Sequence, residues 1–349
     1  MKKKITNKDK NLLNIIIILT IFIGLFMYML FVDGIDNMIN VLRNVEPIWM
    51  LAGLLCMIIY WLIEAICLYI ISKKFYKNQR FRDSVRVTMI GQLFNSITPF
   101  SSGGQPMQAV SMLNEGKTAS KSATILLIKF IVFQATLVIY TLTVIIFQYS
   151  YFKGLVSNFI NLAMIGFSVN FVIIVFLILI GINKKLVITL IKPIIEVLGR
   201  MKIIKNSEEK LKNLNESINV FHNQFKIVRK EKWMITKVFI LSIIEHTVFF
   251  AVTYMVYKAF GQSGASIIKI MSAQAFLMMI MSFVPVPGAG IAAEGGFYII
   301  FNAFFEKKSI NMAILFWRNY TFYLPILIGV LFIIFKSRKY KLYKKKEDV

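Results

Sequence analysis

Six uninterrupted apolar runs dominate this chain, near residues 12–32, 48–72, 119–148, 159–182, 233–257 and 310–335. Each is long enough to cross a bilayer as a helix, which takes about 20 residues. Hydrophobic residues make up 57% of the 349, and the mean hydropathy is +0.68. A soluble domain does not bury so much apolar helix, so the runs predict an all-α polytopic membrane protein. The first run is too long for a signal core and no small-residue cleavage pattern follows it. It reads as a retained helix.

Two further apolar stretches, near 84–113 and 267–305, are broken at their centres. Residues 92–106 read QLFNSITPFSSGGQP, and residues 281–296 read MSFVPVPGAGIAAEGG. Backbone freed by proline and glycine is too costly to face lipid, so it must be buried in protein or line a cavity. Paired breaks at matching places in two halves point to a substrate site near the bilayer midplane.

The net charge is +24, which raises the question of nucleic acid. Its distribution answers with topology instead. Lys2, Lys3, Lys4, Lys8 and Lys10 precede the first run. Lys73, Lys74, Lys77, Arg80, Arg82 and Arg86 follow the second, and basic sets fill 183–232 and 336–346. The alternate loops at 33–47 and 149–158 are poor in base. This alternation is the positive-inside pattern, with both termini cytoplasmic. The basic clusters would also attract anionic headgroups on that leaflet.

Charges inside apolar spans are expensive and therefore candidate functional groups. Four repeat in order: Glu64, the first break, Lys129; then Glu245, the second break, Arg318. From acid to the first proline of the break (Pro99 or Pro285) is 35 and 40 residues; from that proline to the base is 30 and 33. The loop charges give the two halves opposite orientations. The expected architecture is six full transmembrane helices plus two re-entrant helical hairpins in an inverted-topology repeat. It forms a single membrane domain over 1–349, with half-repeats 48–148 and 233–335 around a cytoplasmic loop, 183–232. Full spanning by the broken segments stays open, as does a purely structural ion-pairing role for the four charges.

The breaks carry their own chemistry. The first offers Asn95, Ser96, Thr98, Ser101, Ser102 and Gln105, with Gly103 and Gly104 allowing close backbone approach. A half-helix starting near Ser101 would favour an anion at its N-terminus. The second offers Pro285, Pro287, Gly288 and Gly290, with Glu294 one turn on. Gly295 and Gly296 suit tight helix packing. Lys129 and Arg318 suit a phosphate or carboxylate, Arg318 through two parallel hydrogen bonds. Glu64, Glu245 and Glu294 suit a cationic group, or equally the carriage of coupling protons. Gln134 and His246 lie near these charges and fit either a site network or an ordinary interhelical hydrogen bond.

Cys56 and Cys67 stand eleven residues apart on one helix, about 16 Å along its axis, and cannot bridge. With His222 and His246 standing alone, no metal or cofactor site is expected. Leu211, Leu214, Ile218, Phe221, Phe225 and Val228 form one apolar stripe on a helix over 206–228. That helix could lie on the membrane, pack on the bundle or dock a partner. Residues 186–199 suggest another interfacial helix.

Three motifs in order, NSITPFSSGGQP at 95–106, PVPGAG at 285–290 with EGGFY at 294–298, and Trp317-Arg318 followed by YLP at 323–325, resemble the lysylphosphatidylglycerol synthase transmembrane family. This is the flippase-type domain of the bacterial multiple-peptide-resistance proteins. The resemblance covers roughly 10–335. Many relatives carry Gly-Glu where this chain has Gly104-Gln105, so no charge role transfers to that position. The resemblance implies binding and translocation of a phosphatidylglycerol-derived or aminoacylated phospholipid in a bacterial cytoplasmic membrane. Its partners would be the anionic or aminoacylated lipid, and a second copy of the chain or a separate lipid-modifying enzyme. The alternative is phosphatidylglycerol lysyltransferase activity, or membrane-subunit duty for one. In two-part members a soluble domain carries that reaction, and the residues here offer no catalytic group for it. A scaffold role through the 206–228 helix is a third reading.

Overall fold

The computed structural model describes residues 45–155, 159–189, 207–281, 284 and 290–334, with Arg43 and Pro193 as single positions. The expected helix at 12–32, the centre of the second break at 285–289, most of 186–199 and both basic tails lie outside the described residues. Every regular element among the described residues is helical.

Helix α1, Pro47–Phe75, opens on a proline whose fixed φ suits the first helical position, and closes with Lys73 and Lys74 in its last turn. Helix α2, Phe81–Ile97, stops where Thr98 turns extended ahead of Pro99, the conformation that a following proline imposes. A tight turn over Pro99–Ser101 leads into α3, Gly104–Asn114. Phe100 and Ser101 hold φ of 54° and 52°, left-handed backbone that costs non-glycine residues energy and persists only where surroundings enforce it. Part of that enforcement is Thr98. Its hydroxyl donates to Phe94 O at 2.6 Å and accepts from Gly103 N–H at 2.8 Å.

This first broken segment doubles back on itself. A Cβ on Gly91 would fall 2.2 Å from the Gln108 side chain, and one on Gly104 would fall 2.0 Å from Asn95 Oδ1. Both pairs are centred in sequence between Pro99 and Phe100, the signature of an antiparallel hairpin. Gly104 is glycine for this close approach, since its backbone is ordinary helix. The second broken segment follows the same rule. Helices α8, Ile267–Met281, and α9, Gly290–Phe301, pack together. A Cβ on Gly296 would meet Leu277 at 2.7 Å, a pair centred in sequence on the proline-glycine run.

Between the hairpins run α4, Ala119–Leu155, α5, Phe159–Ile182, α6, Ser207–Val228, and α7, Lys232–Ala259. The chain closes with α10, Ile310–Arg318, a π-helical turn at Asn319–Tyr323, and α11, Leu324–Ile334. The widened turn precedes Pro325, which lacks an N–H and whose ring would strike the carbonyl of Thr321 in a regular helix. Five described stretches are long and apolar enough to cross a membrane: Pro47–Phe75, Ala119–Gly154, Ile165–Ile182, Lys232–Ala259 and Ile310–Ile334.

The packing is reciprocal between halves. Helices α1 and α7 make the most extensive contact and run antiparallel. Glu46 N–H donates to Ala259 O at 2.9 Å near one end, and Lys74 bridges Glu231 at 2.8 Å near the other. The first arm of each hairpin packs on the last helix of the opposite half, α2 on α11 and α8 on α4. Apolar burial does not drive helix association inside lipid, so close packing must carry it. Gly329 of α11 accordingly lies against the α2 backbone. Aromatic rings fill the second half, with Phe297 stacked on Phe301 at 4.2 Å and tilted against Trp317 at 4.9 Å. Helix α6 packs on α4 and α5 through buried Ile218, Phe221, Phe225 and Val228. The ring of Phe225 lies over Gly181.

Candidate functional site

The two hairpins and the helices between them enclose a cavity of about 310 Å³. The first hairpin supplies Gln92, Asn95, Ser96, Phe100, Ser101, Gln105 and Gln108; the second supplies Gln274, Met278, Met281 and, just beyond its first arm, Val284. Helices α1, α4 and α5 add Tyr60, Glu64, Lys129, Gln134 and Asn170. The last helix and its π-turn add Trp317, Arg318, Thr321 and Phe322. Charged and amide groups thus stand among apolar ones: Leu126, Phe130, Phe133, Leu137 and Ile173 line the cavity from the same two helices as Lys129, Gln134 and Asn170.

A buried ion pair belongs to the lining. Lys129 Nζ lies 2.5 Å from Glu64 Oε1, with both side chains about nine-tenths buried or more. Gln92 Nε2 donates to Glu64 Oε2 at 2.6 Å and lies 3.2 Å from Tyr60 Oη. Each carboxylate oxygen of Glu64 therefore has a donor, the condition under which a buried charge is tolerated. Replacing Gln92 with leucine removes a hydrogen bond to that charge. The expected loss is about 1.5–3 kcal/mol of stability, read as a lower midpoint of thermal unfolding in detergent.

Arg318 is 4% exposed and reaches the cavity from the opposite half. Its Nε lies 3.6 Å from Glu294 Oε1, and its guanidinium carbon stands 4.4 Å from the centre of the Phe322 ring. The π-turn sets this geometry, because it re-aims the residues that follow Arg318. Stacking on a ring suits a guanidinium.

The sequence-derived residues fall in different places. Glu64, Asn95, Ser101, Gln105, Lys129 and Arg318 line the cavity. Pro99, Ser102, Gly103 and Gly104 shape the turn behind it, where Ser102 Oγ donates to Pro99 O at 2.8 Å. Glu294 approaches through Arg318, and Gly290 opens α9. Glu245 is 1% exposed and packs behind the wall, where it feels the charges of Glu64 and Lys129. Pro285, Pro287 and Gly288 lie outside the described residues. Gln134 lines the cavity and donates to Asn170 Oδ1, while His246 Nε2 bonds Phe133 O at 3.1 Å.

Sequence reasoning missed Asn170, Gln274 and Gln108. A search confined to full charges passes over amides, although an amide inside an apolar span also needs a partner. Asn170 and Gln274 each interrupt an apolar helix and were open to that test. Phe322 carried no such signal, because the π-turn places it.

No curated protein matches the chain. The model of one family, described as the lysylphosphatidylglycerol synthase TM region, matches residues 12–329, and the chain belongs to that family.

Proposed function

We propose that this multi-pass membrane protein binds a phospholipid headgroup in the cavity between its two hairpins and carries it across the bilayer. The observation that carries this reading is a cavity lined from both halves in which charges and amides stand among apolar side chains. Its lining charges are one carboxylate and two bases. Arg318 and Lys129 offer a phosphate its counter-charges, the amides offer hydrogen bonds to a polar headgroup, and the aromatic side chains accommodate the first carbons of the acyl chains.

In this reading the hairpins are re-entrant, entering from opposite faces of a bacterial cytoplasmic membrane, and both termini are cytoplasmic. The antiparallel α1–α7 pair and the reciprocal hairpin packing support an inverted-topology repeat, an arrangement suited to alternating access. The cargo is phosphatidylglycerol or an aminoacylated derivative of it, and Glu64 and Glu294 are the acids available to an amine on such a headgroup.

The test is transbilayer movement of fluorescent phosphatidylglycerol in proteoliposomes, followed by quencher accessibility. Wild-type protein is expected to move the probe, and Arg318→Gln to slow it at least about tenfold, as loss of a charged contact in a buried site implies. Arg318→Lys keeps the charge but loses the flat fork, so an intermediate rate is expected. Equal rates for wild type and Arg318→Gln would overturn the assignment of Arg318.

A further inference from the structure

The contact between α1 and α7 places Glu245, an acid that the headgroup site does not use, close to the ion pair that it does use. Tyr60 of α1 and Phe249 of α7 meet with ring centroids 5.0 Å apart. One turn along each antiparallel helix stand Glu64 and Glu245, so the two acids lie near one another, with Lys129 of α4 within electrostatic reach. Glu245 is 1% exposed. Its Oε1 has no hydrogen-bond partner among the described residues. Lys129 is held by Glu64, and no ion pair forms on Glu245 among the described residues. An unpaired ionised carboxylate in such a place is costly, and binding a proton removes the cost.

We propose that Glu245 is a proton-binding site whose loading is linked to passage of the lipid. This rests on the transport reading above. When a phosphate enters and draws Lys129 away from Glu64, the cluster gains negative charge, which favours the proton on Glu245. When the lipid leaves, Lys129 returns to Glu64, the local negative charge falls, and Glu245 gives up its proton more readily. Proton and anionic headgroup therefore strengthen each other's binding, as linkage requires. The chemistry is the addition of one proton to a carboxylate and its later loss.

The titratable and polar groups on α7 and on the helices packed against it fit this assignment. From α1 come Tyr60 and Cys67, both within its electrostatic reach. The neighbouring His246 is turned to Phe133 O. From α8, Gln274 accepts from the Thr253 hydroxyl at 2.8 Å. From α10, Arg318 is held by Glu294 and Phe322. Lys129, paired with Glu64, is the cation whose charge reaches Glu245.

Two readouts test the proposal. Infrared difference spectroscopy of the purified protein across a pH step is expected to show a buried carboxylic-acid carbonyl band that is absent in Glu245→Gln. The band should also vanish in Glu64→Gln, where Lys129 is left to pair with Glu245 as carboxylate. An unchanged band in Glu245→Gln would overturn the proton site, whatever the transport result. In proteoliposomes of phosphatidylcholine and phosphatidylglycerol, an imposed pH gradient is expected to speed movement of fluorescent phosphatidylglycerol by wild type at least about threefold, roughly 0.7 kcal/mol. Glu245→Gln is expected to ignore the gradient. Wild-type movement indifferent to the gradient would overturn the coupling and leave transport standing. No movement by wild type under any gradient would overturn the transport reading itself, and with it the coupling.

Discussion

Lys129→Met is expected to be the most damaging single change to the site. It leaves Glu64, buried and adjacent to Glu245, with Gln92 as its remaining donor. Removing one partner of a buried pair costs about 3–5 kcal/mol, because the other charge stays behind. A lower thermal midpoint in detergent and loss of most lipid movement should follow together. The double variant Glu64→Gln/Lys129→Met separates the two effects. It removes both charges, so stability should return close to wild type while lipid movement stays low. If the single and double variants unfold alike, the pair does not hold the bundle. If the double variant transports normally, Lys129 does not bind the headgroup.

Gly329→Ala is expected to lower both stability and transport, through packing rather than charge. A Cβ there would lie 2.7 Å from Met89 O and 2.5 Å from Leu93 Cβ. Neither atom belongs to a flexible tip that can swing aside, so α11 must move off the first hairpin. Overpacking of this kind costs about 1–3 kcal/mol. The same movement would displace Thr321 and Phe322 from the cavity wall, so transport should fall as well. Gly154 and Gly295 provide controls, since nothing lies within 4 Å of a Cβ at either. Alanine at those helical positions should be neutral or stabilise by up to about 1 kcal/mol. Thermal midpoints of the three variants in one detergent decide the matter, and a Gly329→Ala midpoint equal to that of Gly295→Ala would refute the packing argument.

The glycines illustrate how far sequence carries. Gly295 and Gly296 look equivalent as small residues for helix packing, yet Gly296 meets Leu277 and Gly295 meets open space. The two differ by one step of about 100° around the helix, and only the neighbour's position tells which side is crowded. The 206–228 stripe left three partners open for its helix. Phe225 over Gly181 places its C-terminal part on the bundle, a contact that no periodicity within the helix contains.

The amino-acid order alone did not place the π-turn inside 310–335, but it determined most of the described helices, the break at Pro99 and the presence of an acid before and a base after each break. Those features are local: apolar length sets a span, proline and glycine end a helix, and a buried charge is costly wherever it falls. What the order did not determine is which charges meet. Glu64 takes Lys129 from its own half, whereas Arg318 takes Glu294 rather than Glu245. Glu245 faces Glu64 because α1 and α7 cross antiparallel with those two positions level. Such pairings depend on the rotation of each helix about its axis and its height against its neighbours. Long-range packing fixes both, and sequence spacing is nearly blind to them.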